Sequence, residues 1–156
     1  MKKSPDKVSD NTETVVPVAG HPLHPMLVTF PIAFLLGAFA TDVVFLYEGD
    51  PFWARMSFWL IGAGTLMGFV AGMTGTVELL SVRGIRRRPA AWHHFVASVM
   101  LLSVATANWL WRLDDPAAIL PWGIALSFMT VLLVSFAGWL GGTLVFEHRI
   151  GIEQDD

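Results

Sequence analysis

The chain has no cysteine. That absence excludes disulfides, thiolate-held zinc, iron–sulfur clusters and covalently attached haem. Any metal or cofactor must then be held by histidine, methionine, carboxylates or backbone. Charge is scarce as well. Only 15% of the 156 residues are Asp, Glu, Lys or Arg, against about 25% in a soluble domain. Outside the apolar segments there is no basic cluster interleaved with aromatics, which argues against nucleic acid as a partner. The net charge of −3 is mild and points to no particular ligand. No internal repeat is visible along the chain.

What is present in quantity is apolar: 54% of the residues are hydrophobic, and they fall in blocks. Four segments, about 25–46, 55–80, 91–111 and 120–146, each meet the ~20 residues needed to cross ~30 Å of hydrocarbon. Short connections join them: "YEGDPFW", "SVRGIRRRP" and "RLDDPAAILP". The expected fold is an all-α membrane protein, a four-transmembrane-helix up-down bundle over residues 20–152. Residues 1–19 carry Lys2, Lys3, Lys7, Asp6, Asp10 and Glu13, which cancel, and read as a polar disordered tail. Residues 153–156 form an acidic end. The "AFA" of residues 38–40 makes a poor signal-peptide end, because no basic region precedes it and Pro31 interrupts the apolar core.

Four crossings put both termini and the second loop on one face. Lys7, Arg83, Arg86, Arg87, Arg88 and Arg149 share it, whereas only Arg55 and Arg112 lie at the other. The positive-inside rule then gives an N-in/C-in topology. Trp53, Trp109, Trp111 and Trp122 fall near the outer face, where an interfacial aromatic belt belongs. In the second helix Gly64, Gly68 and Gly72 are spaced for close backbone approach. Tight packing within the bundle explains them more simply than a cofactor crevice, and contact with a second copy through this helix is a further use.

All five histidines lie at the cytoplasmic face: His21 and His24 before the first helix, His93 and His94 opening the third, His148 after the fourth. In "GHPLHP" each histidine precedes a proline, which favours extended or polyproline-II backbone. Three residues there make one turn, so the two rings would point the same way, with His24 capping the helix. His93 and His94 are ~100° apart on a helix, and only one can face the bundle. His94 continues through Ser98, Leu101, Ala105, Asn108 and Arg112, a small or polar stripe, and is chosen as the inward residue. Glu78 shares a face with Gly75, Ala71, Gly68 and Gly64 at the same end. Asp42 lies ~25 Å along the first helix, with Arg55 or Arg112 as the partner of a helix-to-helix ion pair.

The stretches "GHPLHPMLVTFPIAFLLGAFATD", "GMTGTVELL" and "GWLGGTLVFEHRIGI" resemble a bacterial membrane family known only as domain of unknown function 2231. The resemblance covers Gly20 to about Ile152. It implies the bacterial cytoplasmic membrane, an acidic residue where Glu78 stands and a functional histidine at His93 or His94. Through the family's loose grouping with membrane b-type cytochromes it also implies redox work.

Three functions follow as expectations. The first is a non-covalent haem b carrier that passes electrons to a redox partner protein. His24, His94 and His148 would be axial ligands, with Arg83, Arg86 and Arg87 near the propionates. The second is a divalent transition-metal site drawn from His21, His24, His94, His148 and Glu78. The third is a structural or assembly subunit with no cofactor. No enzyme class follows from these residues.

Overall fold

In a computed structural model, residues 17–18 and 21–146 are described, with side chains from 23 onward. The expected disordered tail lies outside the described residues, apart from the backbone of Pro17 and Val18. His148, Glu147 and the acidic end 153–156 also lie outside them, as does the side chain of His21.

Four helices are long and apolar enough to cross a membrane: Leu23–Glu48, Pro51–Ser81, Pro89–Trp111 and Ile119–Phe146. The first comprises α1 (Leu23–Leu27) and α2 (Thr29–Glu48), which meet at a turn on Val28. Pro31 has no N–H to give the Leu27 carbonyl, and the hydrogen-bond ladder breaks there. A short antiparallel bridge, Pro17 with Pro22 and Val18 with His21, precedes α1. The helix starts at Leu23, so His24 sits inside its first turn, not outside it as the polyproline-II expectation has it. Pro25 is tolerated because first-turn N–H groups have no intrahelical partner to lose.

Local chemistry sets the remaining ends. Gly49 closes α2 in the left-handed region at φ 68°, its N–H bonding the Phe45 carbonyl, the common glycine C-cap. Asp50 caps α3 (Pro51–Ser81), accepting from the Phe52 N–H at 2.8 Å, and Pro51 supplies a preset first turn. A single turn, α4 (Arg83–Arg86), carries the chain to α5 (Pro89–Trp111), which also opens on a proline. A kinked segment, Ile119–Gly123, in which Leu120 is extended (φ −94°, ψ 142°), leads into α6 (Ile124–Phe146).

The helices form two hairpins, α2/α3 and α5/α6. Across the bundle α3 packs on α5 and α2 on α6, which leaves α2 and α5 diagonal and parallel. The interior is polar: Asp42, Ser57, Thr65, Asn108, Arg112, Ser127 and Thr130 are buried, while Trp59, Phe69, Met73 and Trp139 face outward. Such inversion of the soluble pattern is what a hydrocarbon surround selects. Near mid-bundle Leu35, Ala105 and Val134 form an apolar cluster. Leu79, Val82, Ile85 and Ala91 form another at the histidine end.

The second-helix glycines are used inside the chain. A Cβ at Gly64 would lie 2.9 Å from Leu35, and one at Gly68 would lie 2.5 Å from Leu102. Both are therefore taken up between helices of the bundle and do not lie on its outer surface. Trp109 likewise turns inward onto Gly62, so it leaves the aromatic belt to its neighbours.

Candidate functional site

The two diagonal helices carry polar groups at both ends. Eighteen residues separate His24 from Asp42, and eighteen separate His94 from Arg112. At 1.5 Å per residue that is about 27 Å, close to the ~30 Å of a hydrocarbon core. The bundle thus has an imidazole end and an ion-pair end.

At the imidazole end, the rings of His24 and His94 meet edge to face with centroids 6.2 Å apart. Each reaches past its partner to the helix beside it. His24 Nδ1 lies 2.8 Å from the Ala71 carbonyl oxygen on α3, and His94 Nδ1 lies 3.0 Å from that of Ala137 on α6. A carbonyl only accepts, so each Nδ1 carries the proton and donates. In a neutral ring that leaves Nε2 with its lone pair, the arrangement by which a backbone carbonyl orients a metal-ligating imidazole.

Glycine makes room for both rings. A Cβ at Gly75, one turn beyond Ala71, would stand 2.8 Å from His24 Cε1. One at Gly141, one turn beyond Ala137, would stand 3.2 Å from His94 Cε1. His93 is exposed, so of the adjacent pair it is His94 that faces the bundle.

Glu78 is buried on α3, three residues past Gly75. Among the described residues, no three His, Cys, Asp or Glu side chains group as a metal site. The structure therefore brings His24 and His94 together but does not add Glu78 to them as a third ligand. Arg83, Arg86 and Arg87 are exposed on and just after α4, at the same end of the bundle. Arg86 is held by a bond from its guanidinium to the Leu80 carbonyl.

At the ion-pair end, Arg112 and Asp42 meet in a two-pronged bridge of 2.7 and 2.8 Å, both fully buried. Arg55, the other arginine that the sequence offers Asp42, is exposed. Arg112 also donates to Ser57 and Ser127, each at 3.1 Å, and through Nε to Asn108 Oδ1 at 3.0 Å. All five of its N–H donors are thereby used. Ser127 donates to Asp42 Oδ2 at 2.6 Å and accepts from Asn108 at 2.9 Å, while Ser57 donates to the Ala38 carbonyl. One network ties all four crossings together. Gly123 permits it, since a Cβ there would stand 3.0 Å from the guanidinium. The two serines are the functional residues that charge and helix stripes do not reveal, because a lone serine in an apolar helix carries no signal of its own.

No curated protein and no solved structure matches the chain. The family model described as "Predicted membrane protein (DUF2231)" matches residues 20–154. With four membrane-length helices and a match over most of its length, the chain belongs to this family of membrane proteins.

Proposed function

We propose that the protein is a haem b-binding electron carrier of the bacterial cytoplasmic membrane, with His24 and His94 as the axial pair. One observation carries this reading: two imidazoles from diagonal helices meet across the bundle with ring centres 6.2 Å apart, each oriented through Nδ1 by a helix carbonyl. Two features support the fit. His24 and His94 would hold the iron through Nε2, the nitrogen left free in each neutral ring once Nδ1 donates to its carbonyl. Gly75 and Gly141 remove the side chains that would otherwise crowd both rings.

The ligand count favours haem over a bare ion. Protein-held zinc takes three or four protein ligands, whereas haem iron already has its macrocycle and asks the protein for one or two axial ligands. The two imidazoles that meet here are enough for the second case, whereas the first would also call on His21 or His148, whose side chains lie outside the described residues. Haem, when bound, supplies one-electron transfer. The chain's own residues do the rest. Ala71 and Ala137 hold the imidazole tautomers, the glycines admit the rings, and Arg83 and Arg86 of α4, with Arg87 just after it, offer positive charge for propionates. His21 and His148 belong to the same end by sequence. The surplus of Lys and Arg at this end supports a cytoplasmic position for it, with N-in/C-in topology.

The test is a set of single alanine variants, expressed with haem supply and purified in mild detergent. His24→Ala and His94→Ala should each lose haem, while His93→Ala should retain it. If His93→Ala loses haem and His94→Ala keeps it, the axial assignment is wrong. Stoichiometric zinc, iron, nickel or copper with no Soret band would favour the bare-ion site. A wild-type protein free of both would leave the structural-subunit reading.

A further inference from the structure

The two hairpins are equivalent in a way their sequences hide. Seventy positions after His24, Leu35, Ala38 and Asp42 on the first crossing stand His94, Ala105, Asn108 and Arg112 on the third. In both sets the last three are buried and the histidine is half-buried. On the second and fourth crossings a shift of sixty-six carries Gly64, Gly68 and Ala71 onto Thr130, Val134 and Ala137, all buried. The same two shifts carry the His24–Ala71 hydrogen bond onto the His94–Ala137 bond, and Gly75 onto Gly141. A pseudo-two-fold axis therefore runs down the bundle, with the imidazole pair and the ion pair each meeting across it.

Equivalent positions hold complementary residues, not identical ones. Where α3 meets α5, Gly68 receives Leu102. At the equivalent seam between α6 and α2, Ile32 packs against the cluster that contains Val134. Two second hairpins joined to each other would set Val134 against Leu102 with no glycine to receive it, an overpacked seam. They would also bury Arg112 against Arg112, and two first hairpins would bury Asp42 against Asp42. Buried like charges of this kind act against the wrong pairing.

We infer that the bundle is two equivalent helix hairpins matched to each other, in which Asp42 and Arg112 select the unlike hairpin as partner, so that the same seam can close between two copies of the chain. In the wild type it closes within one chain, because the connection is short and packed down, with Val82 and Ile85 buried against Leu79 and Ala91.

The experiment uses full-length chains carrying two different tags. Asp42→Arg alone puts arginine at both positions, and Arg112→Asp alone puts aspartate at both. Each should accumulate several-fold less than wild type. Expressed together, both should recover and co-purify one to one through either tag, because exchanging hairpins between chains sets opposite charges at both seams. Two differently tagged Asp42→Arg chains should not rescue each other. The same-chain reversal Asp42→Arg/Arg112→Asp should recover as a monomer. Single variants that accumulate normally as monomers would overturn selection by the ion pair, and so would a reversal that fails to recover. If the reversal recovers while the co-expressed singles do not, closure between chains is refuted.

Discussion

Asp42→Asn is the sharpest perturbation of the fold, because it keeps the shape of the side chain and removes only its charge. Asp42 Oδ2 lies 2.8 Å from Arg112 and accepts a 2.6 Å bond from Ser127. An amide nitrogen at that oxygen's position would set donor against donor at both contacts. With the amide reversed, the clash moves to the 2.7 Å contact at Oδ1. Either way Arg112, fully buried, loses the one carboxylate that pairs with it among the described residues. Removing one member of a buried pair costs about 3–5 kcal/mol, mostly through the orphaned charge. For a chain of this size 1 kcal/mol moves the midpoint by about 2–4 °C, so a loss of roughly 10 °C is expected. The assay is the fraction of protein that remains monodisperse in detergent after heating. Arg55→Ala is the control: its side chain is exposed, and exposed charges change stability by about 0.5 kcal/mol or less. Asp42→Asn/Arg112→Met should regain part of the loss, because the guanidinium is gone. If Asp42→Asn melts with the wild type, the network does not hold the crossings together and the reasoning fails.

Two further predictions concern the imidazole end and the topology. Gly75→Val and Gly141→Val should each displace a histidine and reduce haem retention, whereas Gly138→Val should not, since a Cβ at Gly138 meets nothing within 4 Å; equal effects at Gly138 and Gly75 would remove the case for a cradle. The natural chain has no cysteine, so Arg86→Cys and Asp114→Cys can be labelled singly with a membrane-impermeant reagent. The N-in/C-in proposal expects Asp114→Cys to react in intact cells and Arg86→Cys only after lysis; labelling of both from the same side would refute the up-down topology.

The four crossings were legible because apolar length alone dictates them. On the third helix the stripe from His94 to Arg112 turns Ala105, Asn108 and Arg112 into the core, but Ala97, on the neighbouring His93 stripe, is buried as well. Periodicity gives axial height and face, however, and not which neighbour a side chain meets. Asp42 had Arg55 and Arg112 at the same height, and only the packing of the hairpins sends Arg112 inward and Arg55 out. The extended expectation for "GHPLHP" holds at His21, which lies in the antiparallel bridge, and fails at His24, which is helical. The Ala71 carbonyl holds His24 in a helical turn that already starts at Leu23. The pseudo-two-fold relation escaped sequence inspection for a physical reason. Surfaces that meet across an axis must be complementary, so selection replaces leucine by alanine, glycine by valine and aspartate by arginine at matching places. Glu78 lies at the expected end and is buried, yet its height and face said nothing of whether it joins the imidazoles.

The most direct measurement is haem stoichiometry and coordination in the wild-type protein, purified in mild detergent after expression with haem supplied. One haem b per chain is expected, with a low-spin spectrum from two imidazoles in the oxidised state and a Soret band that shifts on reduction. His24→Ala or His94→Ala should lose that low-spin signature. Wild-type protein that folds, holds its ion-pair network and still purifies without haem under those conditions would contradict the proposal.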